Sequence, residues 1–515
     1  MRIALAQINS TIGDFEGNYQ KIIEYVRRAK ERRCEMVVLP EAALFGYQPM
    51  DLLERVKVVN LQLNYLKKLE KTLPKDIAVV VGAITKNKAT LGRPYFNSAV
   101  VIYKGKIQNV FNKELLASYD VYEETRHFER GDVSKNIFRF NNKNILITIC
   151  EDMWAWPIHD GDEQKKSLYS NNPIKKIKRG SIDLVLNLSA SPFYNNKFKD
   201  RLGMARETAK YFSAPFIYVN MVGAQDELIF DGASFAIDRK GKIICQSNAF
   251  VEDFNFVDLK EMSGGMRPIS EDVTENLRQA LILGIRDFIS KNNLKCVHLG
   301  LSGGVDSAVV ACLAVDALGS DRVTAYALPG PYSNSISLKL AKNLSKNLNI
   351  KLFTISITDA YKKLTTQLNK VLGDIPFGLM HENIQARERS IILMAVSNRN
   401  NSLLLNTSNK SELAVGYGTL YGDMAGGLYP LGDVLKSDVF KLARLYNSDF
   451  ELIPKTIISR PPTAELRKNQ KDQDSLPPYT DLDKSIVRVV EEKKSANNKV
   501  DRFLIKALVN SEFKR

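Results

Sequence analysis

The chain has 515 residues, of which 44% are hydrophobic and 25% charged, and its formal net charge is +15. This length exceeds what one hydrophobic core normally serves, so we expect at least two domains. No apolar run reaches the roughly 18 residues of a membrane-spanning helix. The lysines are scattered among acidic residues and form no long basic block, which argues against a nucleic-acid-binding protein.

The cysteines and histidines narrow the possible chemistry. The five cysteines are widely spaced without a C-x-x-C pair, which argues against a zinc site or a disulfide framework. The N-terminal run MRIALAQINS lacks the apolar core of a signal peptide. We therefore expect a cytoplasmic protein. Because the chain holds only four histidines, a catalytic base of another type is expected.

Short β-rich runs alternate with helical patterns through the first half of the chain. The strand-like runs include RIALAQI, IAVVVGAI, NILITIC and DLVLNLSA, and the helical ones include NYQKIIEYVRRAKERR and FKDRLGMARETAKYF. Several strands alternate polar and apolar residues, so each has one face on a core. YKGKI and DRKGKI predict hairpin turns at Gly105 and Gly241. We predict stacked sheets covered by helices.

Three stretches of this half carry reactive side chains. They are LPEAALFGYQPMDLL (39–53), FNKELLASYDVYEETRHF (111–128) and Cys150, which ends NILITIC. A cysteine at the end of a strand can act as a nucleophile, although a free cysteine is more often a buried, inert thiol. Together the stretches resemble the nitrilase superfamily, in the branch fused to NAD synthetase. The resemblance covers residues 1–255 and implies a glutaminase with an αββα sandwich and the triad Glu41, Lys113 and Cys150.

This resemblance assigns roles that suit the side chains. Glu41 would take the thiol proton, and Lys113 would stabilise the oxyanion and help to lower the pKa of the Cys150 thiol. The products would be a γ-glutamyl thioester and ammonia. The same resemblance implies that Tyr119, Ser191 and Lys197 position glutamine and that Glu151 assists; a surface or packing role is the alternative for each.

The composition changes between the two halves, at residues 252–272, where Gly264, Gly265 and Pro268 interrupt the pattern. We place the first domain at 1–255, a linker at 256–272 and a second domain at 273–515. From residue 295 the order strand–loop–helix resumes, which predicts a doubly wound, Rossmann-like parallel sheet. The polar segment 466–483, with two adjacent prolines, predicts a mobile loop.

The run GLSGGVDS (300–307) follows a strand and opens a helix. Its glycines let backbone N–H groups face an anion at the helix N-terminus. The lysine of a Walker phosphate loop is missing, so the loop is better suited to a pyrophosphate that leaves, and Asp306 could bind Mg²⁺. It resembles the ATP-pyrophosphatase loop of adenylating amidotransferases, which implies an adenylated intermediate.

Motifs farther along the chain specify the family. ENIQARERS (382–390), NTSNKSELAVGYGTLYGD (406–423), PLGDVLKSDVF (430–440) and RPPTAEL (460–466) resemble NAD synthetase. This resemblance implies Mg²⁺ ligands at Asp306 and Glu412. Leu420 stands where many family members have lysine. The resemblance implies an ATP site at Gly300, Leu301, Ser302, Gly303, Gly304, Val305, Asp306, Ser307, Thr407 and Lys436, and a deamido-NAD site at Asn383, Arg387, Glu412 and Lys514.

The sequence therefore predicts ATP-dependent amidation of deamido-NAD to NAD, with ammonia released from L-glutamine and passed internally between domains. The other products would be AMP, pyrophosphate and glutamate. We expect no nucleic-acid or membrane partner, and a homo-oligomer, dimeric through the synthetase domain or larger. One alternative is an adenylating amidotransferase for a different small carboxylic acid. Another is an RNA-binding enzyme that adenylates a tRNA base for thiolation, which the missing C-x-x-C pair and the lack of an aromatic-rich basic stretch disfavour.

Overall fold

A computed structural model describes residues 1–160, 163–165 and 169–514 of the chain. The fold divides into two units, Met1–Val273 and Thr274–Arg515.

Strands dominate the first unit, and four α-helices accompany them among its described residues. The helices are α1 (Phe15–Glu31), α2 (Val56–Thr72), α3 (Glu124–His127) and α4 (Lys197–Phe212), with 3₁₀ turns at Met50–Glu54, Val133–Lys135, Cys150–Met153 and Pro173–Lys176. The strands are β1 (Arg2–Gln7), β2 (Met36–Val38), β3 (Ala78–Lys86), β4 (Tyr95–Tyr103), β5 (Lys106–Asn112), β6 (Ile137–Phe140), β7 (Lys143–Ile149), β8 (Ile158–Asp160), β9 (Glu163–Lys165), β10 (Leu184–Ser189), β11 (Phe216–Asn220), β12 (Val222–Gln225), β13 (Leu228–Asp231), β14 (Phe235–Ile237), β15 (Ile243–Gln246), β16 (Asp253–Asp258) and β17 (Ser263–Gly264).

Two stacked sheets form the centre of this unit. One has seven strands in the order β17-β16-β1-β2-β3-β4-β5, and the other has six in the order β15-β14-β11-β10-β7-β6. Ile3 and Leu5 of β1 meet Ile147 of β7 in the core between the sheets. The alternate residue Ala4 packs with α1 and α2, and Leu146 packs with α4. Period-two alternation thus places one face of each strand inside and one under a helix, and the predicted αββα sandwich is confirmed.

The first unit extends farther along the chain than its predicted boundary. β16 pairs antiparallel with β1 from Arg2↔Asp258 to Gln7↔Asp253, so the predicted linker 256–272 begins inside a strand. Phe256 packs on the helix side of the sheet and Val257 on its inner side. This apolar pair supports the strand up to Asp258, and the short β17 then pairs back onto it.

Helices dominate the second unit, around one small sheet. Its strands are β18 (Val297–Gly300), β19 (Val323–Ala327), β20 (Lys351–Thr354) and β21 (Leu403–Leu404). Its helices are α5 (Val273–Lys291), α6 (Val305–Leu318), α7 (Ser335–Asn347), α8 (Thr358–Leu372), α9 (Leu379–Asn400), α10 (Lys410–Ala414), α11 (Lys436–Leu445), α12 (Lys455–Ser459), α13 (Tyr479–Ile486) and α14 (Lys499–Asn510), with 3₁₀ turns at Ser320–Arg322, Asp472–Asp474 and Glu512–Lys514 and a π turn at Val487–Glu491.

The sheet of the second unit is parallel, in the order β20-β19-β18-β21. The chain builds outward from β18 through β19 to β20 and then crosses to the other side at β21. This is the predicted doubly wound topology, and it opens a crevice between the carboxyl ends of β18 and β21. α6 is buried over most of its length, from Val305 to Ala314. No helix in the described part of the chain is long and apolar enough to cross a membrane.

The segment 466–483 is more ordered than its polar composition predicts. It contains the 3₁₀ turn at Asp472 and the start of α13, whose Tyr479 and Leu482 are buried in a satellite core with Ile486. The prediction of a mobile loop is wrong for this part. The adjacent prolines stiffen the entry to α13, where Pro478 is the N-cap residue, and the Tyr–Leu–Ile spacing gives the helix an apolar stripe.

Candidate active sites

Two of the three predicted triad residues are in direct contact. Glu41 lies in the loop after β2 and Lys113 directly follows β5, and both are buried. The Lys113 Nζ donates to Glu41 Oε1 at 2.7 Å, and the Ala190 backbone N–H donates to Glu41 Oε2 at 2.9 Å. The loop that carries Glu41 packs so closely on β3 that a Cβ at Gly82 would lie 2.3 Å from the Pro40 carbonyl oxygen.

Cys150 opens a 3₁₀ turn directly after β7, at the carboxyl end of the strand. Its φ of +41° is unusual for a residue with a side chain, and the side chain is buried. Burial and the nearby Glu41 carboxylate raise the pKa of the Cys150 thiol well above its usual range, while Lys113 opposes this shift. Lys113 thus lowers the thiol pKa as expected, but burial and Glu41 raise it by more.

The sequence interpretation missed two buried residues of this cluster, Asn97 and Glu124. Lys113 Nζ donates to Glu124 Oε1 at 2.9 Å, and Asn97 Nδ2 donates to Glu41 Oε1 at 2.7 Å. Burial by itself lowers the pKa of Lys113, but the carboxylates of Glu124 and Glu41 outweigh it and raise that pKa. In the sequence, nothing distinguishes Glu124 from its exposed neighbour Glu123; only packing identifies it.

Glu151 lies at the side of the nucleophile and accepts two tyrosine hydroxyls. Tyr119 donates to Glu151 Oε1 at 3.0 Å, and Tyr169 donates to the same oxygen at 2.6 Å. Tyr119 was expected at this site, whereas Tyr169 follows a segment without any motif. The carboxylate next to the nucleophile is thus held by a pair of hydroxyl groups.

Lys197, the first residue of α4, supplies a cation to the same region. Its Nζ lies 4.0 Å from the centre of the Trp154 ring and 4.4 Å from that of Tyr194. Burial, together with the charge of Arg201, lowers the pKa of Lys197 to about 8. The ammonium is thus stabilised by aromatic faces, which leaves its charge available to an anionic ligand.

Ser191 is held in place by a buried ion pair that the sequence interpretation missed. Arg201 donates to the Ser191 carbonyl oxygen at 2.7 Å and pairs with Asp231 at 2.7 Å. The Ser191 N–H donates to Asn220 Oδ1 at 2.9 Å. These bonds fix the turn that also provides the Ala190 N–H to Glu41.

In the second unit, residues 300–306 of the glycine loop form one wall of a cavity of about 320 Å³. Gly303 has a φ of +82°, and a Cβ there would lie 2.4 Å from the Ser337 carbonyl oxygen, so only glycine fits. The cavity lies at the crevice between β18 and β21. Of the predicted site residues it is lined by Gly300, Leu301, Ser302, Gly303, Gly304, Val305, Asp306, Thr407, Glu412 and Lys436.

Ser307 was predicted to bind ATP, but it does not line this cavity among the described residues. Its buried hydroxyl donates to the Gly304 carbonyl oxygen at 3.1 Å and lies 3.1 Å from Ser302 Oγ. The side chain therefore shapes the loop from behind, because the first turn of α6 directs it into the interior.

Asp306 and Glu412 converge on the ammonium of Lys436, which is 1% exposed. Lys436 Nζ lies 2.6 Å from Asp306 Oδ2 and 3.1 Å from Glu412 Oε1. Burial raises the pKa of Glu412 to about 7, opposed by Lys436. No group of three or more His, Cys, Asp or Glu side chains within the described ranges could hold a metal by itself. Two carboxylates beside a phosphate loop nevertheless fit Mg²⁺, which takes its remaining ligands from phosphate and water.

The remaining predicted dinucleotide residues gather around one segment, 416–420. Thr419 Oγ1 donates to Asn383 Oδ1 at 2.8 Å, and Arg387 Nε donates to the Leu420 carbonyl oxygen at 3.2 Å. Lys514 Nζ donates to the carbonyl oxygens of Gly416 and Gly418 at 2.8 and 2.7 Å. Asn383, Arg387 and Lys514 are thus brought together outside the cavity lining, and the Leu420 backbone takes part through its carbonyl group.

Comparisons with known proteins match both units. The carbon-nitrogen hydrolase family model matches residues 2–267, and the NAD synthase family model matches residues 277–515. The glutamine-dependent NAD(+) synthetase of Synechocystis sp. is 41% identical, over 100% of this chain and 94% of its own. That of Thermotoga maritima is 37% identical, over 96% and 89% of the two chains.

Solved structures of the same kind share the whole fold. The structure of glutamine-dependent NAD+ synthetase from Acinetobacter baumannii, in complex with adenosine diphosphate, superposes with a TM-score of 0.81 at 32% identity and covers 100% of this chain and 94% of that one. A glutamine-dependent NAD(+) synthetase from Cytophaga hutchinsonii, at 21% identity, has the same fold with a TM-score of 0.82, over 100% of this chain and 93% of that one.

Proposed function

The chain belongs to the glutamine-dependent NAD(+) synthetases, and from this premise we propose how its side chains divide the reaction between the two units. The enzyme amidates deamido-NAD in an ATP-dependent reaction with nitrogen from glutamine. Family membership favours this reaction over both alternatives stated from the sequence, a different small acid and a tRNA base.

In the first unit, Glu41 removes the proton of the Cys150 thiol as the sulfur attacks the γ-carboxamide carbon of glutamine. The raised thiol pKa supports proton transfer during attack rather than a thiolate formed beforehand. Lys113, kept protonated by Glu41 and Glu124, stabilises the oxyanion of the tetrahedral intermediate. Collapse of the intermediate breaks the carbon–nitrogen bond and releases ammonia, with the proton returned by Glu41. Water then hydrolyses the thioester to glutamate.

Charge complementarity supports glutamine as the amide substrate. Lys197 provides a cation for the α-carboxylate, and Glu151, oriented by the hydroxyls of Tyr119 and Tyr169, provides an anion for the α-ammonium. Ser191, held in its turn by Arg201, lies with them in the predicted glutamine-binding set. A zwitterionic amino acid therefore meets a matching charge at each end.

In the second unit, the glycine loop and the start of α6 bind the ATP phosphates through backbone N–H groups. Asp306 and Glu412 would hold Mg²⁺, and the ion would supply charge neutralisation at the phosphate oxygens. Lys436, already between these carboxylates, contacts the same phosphates. Asn383, Arg387 and Lys514 bind deamido-NAD through the neighbourhood of segment 416–420.

Two further proposals concern the state of the molecule. An apolar surface on the second unit supports the expected dimer through the synthetase domain: in α8 only Tyr361 is buried, while Val371, Leu372 and Ile391 are 82%, 61% and 68% exposed. The five cysteines are free thiols, which supports a reducing compartment, the cytoplasm.

The observation that carries the proposed roles is the buried contact of Lys113 with Glu41 beside the nucleophile at the end of β7. The test is NAD formation by Cys150→Ala with either glutamine or ammonium as nitrogen source, with AMP and pyrophosphate quantified. We expect glutamine-driven synthesis to fall by at least about 1000-fold and ammonium-driven synthesis to remain. Loss of both activities together would contradict the division into two sites, and ADP as product would contradict the role of the loop.

A further inference from the structure

We propose that Asp152, two residues after the nucleophile, is a positioning residue for glutamine hydrolysis that holds Cys150 and Lys113 in register. Its side chain is fully buried at 0% exposure. Asp152 Oδ2 accepts the Ile149 N–H at 2.9 Å, and Oδ1 accepts the N–H groups of Glu114 and Leu115, both at 2.9 Å. One carboxylate thus joins the residue before Cys150 to the residues after Lys113.

The backbone at Cys150 needs such support. A φ of +41° is costly for a residue with a Cβ and persists only where the surroundings impose it. The Asp152 carboxylate bonds back to the N–H of Ile149, so it fixes the peptide between Thr148 and Ile149, one residue before Cys150. Without it, the 3₁₀ turn loses the capping interaction that the Asp152 side chain makes at its start.

The same carboxylate anchors the lysine. The Lys113 N–H donates to the Asn97 carbonyl oxygen at 2.9 Å, which fixes the peptide before Lys113. Asp152 fixes the two peptides that follow Lys113. Asn97 in turn contacts Glu41 through its side chain. Backbone bonds that converge at Asp152 therefore join the segment after Lys113 to the residue before the nucleophile. Glu41 is connected to this arrangement only through Asn97.

Three N–H donors converge on two oxygens, which is an arrangement that requires a carboxylate. In the nearly isosteric Asp152→Asn, the amide NH₂ must face at least one backbone N–H, so one anchor is replaced by a donor–donor contact. Because a misplacement of about 1 Å can cost a factor of about 100 in rate, loss of either anchor is expected to reduce turnover more than glutamine binding.

The experiment compares Asp152→Asn with wild type in the full-length enzyme. We expect the glutamine-driven kcat to fall by about 100-fold, the KM for glutamine to stay within about threefold, and ammonium-driven synthesis to be unchanged. The matched control is Asp183→Asn, because this exposed carboxylate also accepts a backbone N–H, from Asn144 at 2.8 Å, but lies on the surface; its glutamine-driven rate should match wild type.

A binding measurement separates positioning from folding. In the Cys150→Ala background, calorimetric titration with glutamine should give the same affinity, within about threefold, whether residue 152 is Asp or Asn. Loss of glutamine binding would show that Asp152 merely supports the fold of the pocket and would overturn the proposal. A glutamine-driven kcat that survives Asp152→Asn within about threefold would overturn it as well. Failure of the proposed triad would appear separately, as glutamine-driven activity in Cys150→Ala alone.

Discussion

Lys197 shows how the surroundings of one residue can set a pH limit on the whole reaction. Its pKa is lowered to about 8 by burial and by Arg201, so the ammonium is present below that pH and is lost as the pH rises through it. If this cation binds the α-carboxylate, the KM for glutamine should rise above pH 8 by up to tenfold per pH unit. Steady-state measurement of KM against pH tests this.

A variant at the same position provides the control. In Lys197→Arg the cation stays protonated throughout this range because the pKa of arginine lies above about 12. The rise of the KM for glutamine above pH 8 should then disappear, even if affinity at neutral pH is lower. An unchanged pH profile in Lys197→Arg would rule out Lys197 as the titrating group.

Lys436 leads to a prediction about metal binding. Its ammonium lies between the two carboxylates proposed for Mg²⁺, at 2.6 and 3.1 Å, and occupies the position of a counter-ion. We therefore expect Mn²⁺, followed by electron paramagnetic resonance, to bind at least about tenfold more tightly with a non-hydrolysable ATP analogue than without it, since phosphates both add ligands and attract the lysine.

Measuring Mn²⁺ affinity with and without nucleotide distinguishes a wrong role for Lys436 from a wrong metal site. Equal Mn²⁺ affinity with and without nucleotide would contradict the counter-ion role of Lys436 and leave the metal site intact. No Mn²⁺ binding even with nucleotide would contradict the assignment of Asp306 and Glu412. Asp306→Asn should remove nucleotide-dependent binding and serves as the control.

At the scale of elements, the helix α6 offers a matched pair of glycines. Gly303 before it and Gly319 after it both have positive φ, +82° and +84°, but only at Gly303 would a Cβ meet another atom within 4 Å, the Ser337 carbonyl oxygen. Gly303→Ala therefore combines backbone strain of about 1–3 kcal/mol with a clash that moves the phosphate loop.

The expected outcome for Gly303→Ala is a loss of ammonium-driven synthesis of at least about 100-fold, together with a lower thermal unfolding midpoint. Gly319→Ala should lower only the midpoint, because its strain lies at the opposite end of the helix from the cavity. Similar synthesis rates in the two variants would show that the geometry of the loop does not limit ATP binding.

Element by element, the sequence predicts periodic segments well and boundaries less well. β1, β3, β7 and α1 follow directly from their hydrophobic periods. The predicted linker begins inside β16, because Phe256 and Val257 continue the alternation of side-chain faces in that strand by only a few residues. The sequence predicts a mobile segment at 466–483 because charged and polar residues outnumber its few apolar ones. A short apolar stripe indicates a helix only when the surface that it packs against is known.

At the scale of the whole molecule, the apolar surface of the second unit predicts association. Ile391→Glu places a charge on an exposed apolar position of α9, and it should convert a dimer formed through this surface into monomers, seen by sedimentation velocity. Leu91→Glu changes an equally apolar residue on the first unit, 84% exposed, and should leave the assembly unchanged. A dimer that survives Ile391→Glu would place the interface elsewhere.

The sequence by itself determined the chemistry of this protein. Glycines that can face phosphate, a cysteine at a strand end, and carboxylates where histidine is scarce are properties of residue type and local order. They indicated a phosphate loop and a possible nucleophile, and the resemblance of the surrounding motifs to two known families implied both reactions. The tertiary structure decided which charges meet. Glu124, Asn97, Asp152 and Arg201 carry no local signal, because their roles arise from burial against residues far along the chain. The net upward shift of the Cys150 thiol pKa was likewise decided by packing, since the cost of desolvation depends on what surrounds a group and not on its neighbours in sequence.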